Sequence, residues 1–454
     1  MTTLSVSELI TKAKAAQEQF ENYTQEQVDA AVKIVAKTIF DNAEVLAKLA
    51  VEETGMGVYE HKVLKNKGKA RIIWHSLKNK KSVGIIEEDV ENGIIKVAKP
   101  MGVIGAVTPC TNPIVTPMCN IMFALKGRNA IIIAPHPRAK KCAAYTIELM
   151  NENLKQLNLP QNLIQTIEDP SVEMTGELMK SVDVVVATGG MGMVKAAYSS
   201  GKPAYGVGAG NVQCIVDRDV DFSEAVPKII TGRTFDNGII CSGEQMVIVH
   251  EDDYNKVVDE FKKNRAFFIN DDSQKQKLRE NLFNNEGVMN RHAIGQNVAA
   301  IGKIFEFNIP DDATVILVDV DAKGREDVLC KEKMCPVIGI KKYKTFIEAV
   351  EIAEANLEYE GKGHTVAIHS NNKENLKYAG EKLPISRLLV NQICATMNGG
   401  SFVNGLAATT TLGCGSWGNN SISENLDYKH FINITRIATV IEGATQPTDE
   451  EIWG

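Results

Sequence analysis

One cysteine, Cys241, stands in a sequence setting that suits nucleophilic chemistry. It follows an apolar pair and precedes a Ser-Gly turn within the segment 235–245. This arrangement indicates a thiol on a loop at the edge of a core, where it can attack an electrophilic carbon. A free cysteine more often serves as a small apolar packing residue, and we expect that role for the other cysteines of the chain.

Four further segments carry side chains or glycines that suit charge stabilisation and ligand binding: 108–113, 188–192, 332–337 and 411–417. Together with the segment around Cys241, and in the same order along the chain, they resemble the aldehyde dehydrogenase superfamily, and more narrowly its coenzyme A-acylating branch. The resemblance implies that a cysteine thiolate adds to an aldehyde, that hydride leaves to a nicotinamide cofactor, and that a thioester remains on the enzyme.

The resemblance also implies two catalytic residues. Cys241 is expected to be the nucleophile. Asn112 precedes Pro113 at the end of a predicted strand. Its side-chain amide is expected to donate to the developing oxyanion, beside the backbone N–H of Cys241. The alternative role for Asn112 is to cap the helix that follows.

A glycine-rich turn between a predicted strand and a predicted helix is the main candidate for cofactor binding. Glycines let the backbone approach a pyrophosphate, whose charge a helix N-terminus favours; an ordinary turn is the alternative. Glu332 is expected to bond the nicotinamide ribose, although an isolated Glu is more often a surface charge. The resemblance places the other contacts to the cofactor at Thr108, Pro109, Gly189, Gly190, Gly192 and Gly208.

The segment 134–141 follows a predicted strand that meets the adenine ribose in the family. It carries His136, Arg138 and Lys140, and it contains no acid. An acid at this place favours the free 2′-hydroxyl of NAD, whereas a base accommodates the 2′-phosphate of NADP. We therefore expect NADP or NAD as the cofactor, with coenzyme A as co-substrate. The alternative for each basic residue is a solvated helix start.

The stretch 205–211 lacks a residue that hydrolytic aldehyde dehydrogenases possess. They carry a glutamate upstream of the nucleophile that activates water, and counting back from Cys241 places Val207 there. Without this base, attack by water on the thioester should be slow. A thiol such as coenzyme A would take the acyl group instead, and the Gly-Val-Gly-Ala-Gly-Asn pattern matches the acylating branch directly.

Lys69 and Ser242 are the candidates for substrate recognition. A cation and a hydroxyl near the acyl pocket would suit a carboxylate at the far end of the substrate, which indicates succinate semialdehyde and succinyl-CoA. The alternative for Lys69 is a solvated charge on a helix. Acetaldehyde or another short aldehyde remains an alternative substrate. A hydrolytic aldehyde dehydrogenase and an inactive scaffold homologue are the alternative functions.

The composition of the 454-residue chain is that of a globular protein, with 44% hydrophobic and 24% charged residues. The net charge of −7 gives no general attraction to nucleic acid or acidic membranes. No secretory signal or long apolar run is visible, and the nine cysteines include no Cys-x-x-Cys pair. We expect a cytoplasmic protein without a metal site.

The elements that must position these residues follow an α/β pattern. Residues 24–27 form a predicted capping box that opens one long helix ending near Thr54, and 83–97 form a predicted hairpin. From residue 102, buried strands at 103–108, 130–134 and 182–187 alternate with helices, which predicts a parallel sheet.

We divide the chain by this pattern and by the resemblance. A Rossmann-type cofactor domain is expected at 1–82 and 101–217, and a catalytic domain at 218–420. Residues 83–100 and 421–454, the latter including a β-rich strip at 431–441, are expected to join subunits of a homodimer or homotetramer.

Overall fold

The structure is a computed structural model that describes residues 4–454. Its strands form three sheets. The strands are β1 (Gly84–Asp89), β2 (Ile94–Pro100), β3 (Val103–Thr108), β4 (Ala130–Pro135), β5 (Ile164–Thr166), β6 (Val184–Thr188), β7 (Ala204–Val207), β8 (Val212–Val216), β9 (Glu244–His250), β10 (Ala266–Ile269), β11 (Val315–Asp319), β12 (Val337–Tyr343), β13 (Gly363–His369), β14 (Ile385–Val390) and β15 (Ile432–Ala438).

The helices alternate with these strands over most of the chain. They are α1 (Val6–Phe20), α2 (Gln25–Asp41), α3 (Ala43–Thr54), α4 (Tyr59–Leu77), α5 (Val115–Lys126), α6 (Lys140–Leu154), α7 (Val172–Ser181), α8 (Met191–Tyr198), α9 (Phe222–Thr234), α10 (Tyr254–Lys263), α11 (Asp272–Leu282), α12 (Val298–Ile304), α13 (Phe346–Tyr359), α14 (Lys373–Lys382), α15 (Cys394–Met397) and α16 (Asp449–Trp453).

The first parallel sheet has the order β5-β4-β3-β6-β7. Every residue of β3 and β4 is buried, as expected for strands that helices cover on both faces. In β3 and β6, Val107 pairs with Ala187. The carboxyl ends of these two strands therefore lie side by side, which brings the loops after Thr108 and Thr188 to one edge of the sheet.

The second parallel sheet has the order β10-β11-β12-β9-β8-β13-β14. Alternate residues of β9 enter different cores: Met246 and Ile248 pack in one, Val247 and Val249 in the other. Period-two alternation between two buried faces is what a sheet between two helix layers requires. The predicted α/β architecture is confirmed.

The predicted hairpin consists of β1 and β2, and β15 of the predicted C-terminal strip pairs antiparallel with β2. This small sheet joins segments more than 300 residues apart, since Ile432 lies opposite Pro100. The assignment of this sheet to subunit assembly stays a prediction.

Two expected boundaries differ from the observed elements. The long helix predicted from residue 24 is broken at Asn42, whose side-chain amide donates to Thr38 O at 2.8 Å. An Asn side chain that competes for a helix carbonyl favours a helix end over a helix interior. The second sheet begins with β8, so the change of sheet precedes residue 212, whereas the predicted domain boundary follows residue 217.

Candidate active site

Cys241 lies half-buried on the turn between a 3₁₀ segment, Phe235–Gly238, and β9. Asp236, Asn237 and Gly238 all have positive φ, at 53°, 54° and 74°. The left-handed region costs energy for residues other than glycine, so tertiary contacts must hold this bend. The carboxylate of Asp236 supplies them: it accepts from Lys62 Nζ at 3.0 Å, from Lys65 Nζ at 2.6 Å and from the N–H of Val58 at 2.8 Å.

The stretch 205–211 packs against the nucleophile loop. A Cβ on Gly210 would lie 1.9 Å from the carbonyl oxygen of Cys241, so only glycine allows this approach. Val207, buried at 3% exposure, packs with Leu412 and Cys414 in an apolar cluster that Cys241 touches. The position at which a hydrolytic enzyme would carry its glutamate therefore presents an isopropyl group to the thiol.

The environment of Cys241 keeps its thiol neutral. Burial raises the pKa of Cys241 to about 12, and the negative charge of Glu332 adds to the increase. The buried guanidinium of Arg387 acts in the opposite direction. With this pKa, only a small fraction of Cys241 is thiolate at neutral pH, so a change in the surrounding charges would favour the nucleophilic form.

Asn112 lies in the loop between β3 and α5 and shares a cavity with Cys241. Lys65 Nζ donates to its Oδ1 at 2.6 Å. The expected alternative, a helix cap, is wrong: α5 begins after Ile114 and has no side-chain cap. The chain turns into α5 through Pro113, which leaves the Asn112 side chain on the cavity wall.

The cavity in front of Cys241 has a volume of about 410 Å³. Apolar and neutral polar groups make up its wall, including Ile72, Phe235 and Thr409. Among the described residues, its charged lining side chains are Lys65 and Lys69, and no acid lines it. The size suits a small ligand, and the charge favours an anionic one.

The two predicted substrate residues lie on this cavity and hold one segment of its wall. Lys69 Nζ donates to Gly399 O at 2.9 Å and Thr409 O at 3.2 Å, and Ser242 Oγ donates to Ala395 O at 3.2 Å. Burial lowers the pKa of Lys69 to about 8. The alternative of a solvated Lys69 is therefore wrong. Its ammonium group retains one N–H beyond the two that these carbonyls use.

The glycine-rich turn follows β6 and opens α8, as predicted. Gly189, Gly190 and Gly192 have no positive φ, so their conformational freedom is not required here. These glycines instead leave open space. A Cβ added at Gly190 or Gly192 would meet no atom within 4 Å, and a Cβ added at Gly189 would meet only Met193 Cβ, at 4.0 Å. This fits a ligand that approaches the backbone closely.

The other predicted cofactor residues at this edge have mainly packing contacts. A Cβ on Gly208 would lie 2.2 Å from the sulfur of Met191, so Gly208 admits the first residue of α8. Thr108 is buried at the end of β3, and its carbonyl accepts from the N–H of His136 at 3.0 Å. Pro109 follows it on the same loop.

The basic segment after β4 meets acids from elsewhere in the chain. Arg138 Nη2 donates to Thr54 O at 2.8 Å, and Lys140 forms an ion pair with Asp169 at 2.6 Å. Glu53, at the end of α3, accepts the N–H groups of Lys141 and Cys142 at 2.7 Å each, at the first turn of α6. The segment itself contains no acid, but in the folded chain Asp169 pairs with Lys140 and the Glu53 carboxylate binds the first turn of the helix that follows.

Glu332 and Cys241 both contact Gly210. Burial raises the pKa of Glu332 to about 8, with a further increase from the charge of Glu360; Arg233 and the N–H of Gly210 oppose it. The N–H of Gly210 donates to the Glu332 carboxylate and the carbonyl of Cys241 packs against Gly210, so both residues contact the same backbone. The surface-charge alternative for Glu332 is wrong.

Four functional-site residues were missed from the sequence: Lys65, Asp236, Arg387 and Glu53. A Lys, an Arg or an acid on an otherwise ordinary helix or strand carries no local signal.

Within residues 4–454, no cluster of three or more His, Cys, Asp or Glu side chains is placed to bind a metal ion. None of the helices in that range combines the length and apolarity of a membrane-crossing segment.

Residues 1–281 match the model of the aldehyde dehydrogenase family. Over 451 residues, the chain is 57% identical to a succinate-semialdehyde dehydrogenase (acetylating) of Clostridium kluyveri, with 99% of both chains covered. The chain belongs to the aldehyde dehydrogenase family. The resemblance recognised from its motifs is confirmed.

Solved structures of the aldehyde dehydrogenase family agree with this fold over nearly the whole chain. An acetylating aldehyde dehydrogenase from Geobacillus thermoglucosidasius has a TM-score of 0.93 and 38% identity, covering 97% of this chain and 98% of its own. A propionaldehyde dehydrogenase from Rhodopseudomonas palustris, solved with bound CoA and an acylated cysteine, has a TM-score of 0.86 and 27% identity, covering 97% and 98%.

Proposed function

We propose that the protein is a coenzyme A-acylating aldehyde dehydrogenase that interconverts succinyl-CoA and succinate semialdehyde with NADPH or NADH. The observation that carries the proposal is the cavity that begins at Cys241. Within residues 4–454, its charged lining residues are two lysines and its lining includes no acid. An acyl chain with a terminal carboxylate fits this charge. The Clostridium kluyveri relative has the matching named activity.

In the reductive direction, the thiolate of Cys241 attacks the thioester carbon of the acyl-CoA. The C–S bond to coenzyme A breaks, coenzyme A leaves as its thiolate and takes one proton from solvent, and the acyl group stays on Cys241. The nicotinamide cofactor supplies hydride to that carbon when bound. The resulting oxyanion is held by the amide of Asn112 and the N–H of Cys241, and its collapse breaks the C–S bond to Cys241, which releases the aldehyde and restores the Cys241 thiolate.

The side chain at position 207 supports coenzyme A, rather than water, as the acyl acceptor in the oxidative direction. Val207 cannot accept a proton from water beside the thioester. A hydrolytic dehydrogenase would form the free acid without coenzyme A. An inactive scaffold is disfavoured because Cys241 and Asn112 line one cavity and the charge of Glu332 acts on the Cys241 thiol.

Cofactor binding is proposed at the open glycine turn of Thr188–Gly192, on the carboxyl edge of the first sheet. The first turn of α8 would face the pyrophosphate, and Glu332 would hold the ribose next to Cys241. We also propose that the protein assembles into a homodimer or homotetramer through the sheet of β1, β2 and β15. The proposed location is the cytoplasm.

The proposal is tested by comparing succinyl-CoA with butyryl-CoA, which has the same chain length and a methyl group in place of the carboxylate. We expect the wild type to prefer succinyl-CoA. Lys69→Met should reduce the ratio of the two kcat/KM values by about 10- to 100-fold, the value of a hydrogen bond to a charged group. The ratio is the measurement because loss of the Gly399 and Thr409 contacts affects both substrates.

Lys67→Met is the matched control, because Lys67 lies on the same helix but pairs with exposed Glu44 at 2.5 Å. Its substrate ratio should equal that of the wild type. An unchanged ratio in Lys69→Met would refute the role of Lys69. A wild type that prefers butyryl-CoA would refute succinyl-CoA as the substrate, and acid formation without coenzyme A would refute the acylating reaction.

A further inference from the structure

We propose that Lys65 is a positioning residue that sets the orientation of the Asn112 side-chain amide, an inference that rests on the proposed function. Lys65 Nζ lies 2.6 Å from Asn112 Oδ1 and 2.6 Å from Asp236 Oδ2. An ammonium group has only donors, so the amide atom that faces it must be the carbonyl oxygen. The NH₂ group of Asn112 is thereby directed away from Lys65.

This orientation is what the oxyanion needs. Asn112 and Cys241 line the same cavity, and within residues 4–454 no protein acceptor bonds to Asn112 Nδ2. The NH₂ group is therefore available for the oxygen that becomes negatively charged on the substrate. A preorganised donor gains its value from being aimed before the charge develops.

Lys65 is itself held in place by a buried carboxylate. Asp236 is fully buried, and it also accepts from Lys62 Nζ at 3.0 Å and from the N–H of Val58 at 2.8 Å. Asp236 belongs to the left-handed bend that leads to Cys241. The same carboxylate thus fixes the nucleophile loop and, through Lys65, the oxyanion donor.

Removal of Lys65 should invert the amide as well as release it. Asn112 Oδ1 and Asp236 Oδ2 both lie at hydrogen-bond distance from one nitrogen, so they are near neighbours. Without the ammonium group, the carboxylate is the strongest acceptor close to Asn112 and attracts its NH₂ group. The carbonyl oxygen would then face the cavity and repel the oxyanion.

The test is a double-mutant cycle with Lys65→Met and Asn112→Ala, measured on succinyl-CoA and butyryl-CoA. Lys65→Met should lower kcat by about 10- to 100-fold on both substrates with little change in KM, because both form the same oxyanion. In the Asn112→Ala background the same change should lower kcat less than about twofold. Lys65→Arg retains donors and should recover part of the loss.

Other outcomes would overturn the inference. An equal loss in the Asn112→Ala background would mean that Lys65 acts independently of Asn112. A loss confined to succinyl-CoA would mean that Lys65 binds the substrate carboxylate. Met preserves most of the aliphatic stem and Asp236 keeps Lys62, so we expect folded variants, checked by circular dichroism. A wild type without acyl-CoA reduction would refute the proposed function itself, whereas an active wild type with a fully active Lys65→Met would refute this inference alone.

Discussion

The two sides of Cys241 differ in how they present charge. On the acyl side, the cavity carries Lys65 and Lys69, whose ammonium groups bond to oxygen atoms of the wall. On the side proposed for the cofactor, the carboxylates of Glu332 and Glu53 accept backbone N–H groups. One side thus offers cations to an anion, and the other offers acceptors next to an open glycine turn.

The difference explains how one thiol can serve two ligands. The acyl side can recognise the far end of a substrate without changing the charge at the nucleophile, because its cations are already engaged by the protein. The cofactor side acts on the nucleophile directly, since Glu332 raises the pKa of Cys241 after the larger effect of burial. Under the proposed function, substrate selection and thiol activation therefore depend on different residues.

The largest loss of activity is expected from removing the Cys241 thiol, which both sides share. Cys241→Ala should lower acyl-CoA reduction by at least about 10⁴-fold, because loss of a nucleophile abolishes the covalent route. The measurement is steady-state reduction together with mass spectrometry of the acylated enzyme. The control is Cys330→Ala, which changes a buried cysteine of the second core. This variant should still become acylated and remain active. Turnover of Cys241→Ala within tenfold of wild type would remove Cys241 from the mechanism.

A change on the cofactor side should alter thiol reactivity with a defined pH dependence. Because burial raises the pKa of Glu332 to about 8, its carboxyl group is mostly neutral below that pH and charged above it. Glu332→Gln stays neutral, so alkylation of Cys241 by iodoacetamide should be on the order of tenfold faster than in wild type at pH 9. At pH 6 the two rates should be alike.

The control for this measurement is Glu358→Gln, which removes an exposed carboxylate that pairs with Lys362. Its alkylation rate should follow the wild type at both pH values. Equal rates for wild type and Glu332→Gln at pH 9 would mean that Glu332 has no electrostatic influence on the thiol.

Local sequence signals predicted the elements whose pattern is local. The capping box at Thr24, the buried strand at 103–108 and the hairpin were found because turn chemistry and periodicity act over a few residues. Cys241 and Asn112 were proposed because the segments around them resemble motifs of the aldehyde dehydrogenase family. These features need no knowledge of how distant segments meet.

The charges that surround the site were missed because they arrive through tertiary contacts. Lys65 and Asp236 are 171 residues apart, and Glu53 is 88 residues from Lys141. No property of a charged residue on a helix indicates which distant group it will meet. For the same reason the acid-free segment 134–141 gave no indication that the Glu53 carboxylate accepts N–H groups of its helix in the folded chain.

The smallest expected effect concerns this missed residue and the choice between NADPH and NADH. The carboxylate of Glu53, from α3, accepts N–H groups of the N-terminal turn of α6, which follows the strand expected to meet the adenine ribose. A carboxylate there repels a 2′-phosphate and uses the N–H groups that could receive it. Glu53→Gln should therefore raise the ratio of kcat/KM for NADPH over NADH by about two- to fivefold, since a charge at a helix N-terminus is worth about 0.3–1 kcal/mol.

The matched control is Glu52→Gln, because Glu52 precedes Glu53 on α3 but is exposed and 3.9 Å from Lys48. Glu52→Gln removes the same charge from the same helix without touching α6. A general electrostatic effect would therefore shift the ratio of kcat/KM for NADPH over NADH equally in both variants. A shift confined to Glu53→Gln would mean that the helix cap sets the cofactor ratio. No shift in the cofactor ratio would mean that this end of α6 does not discriminate the two cofactors. Arg138 and Lys140, which Thr54 and Asp169 engage, would then also be too distant from the ribose to do so.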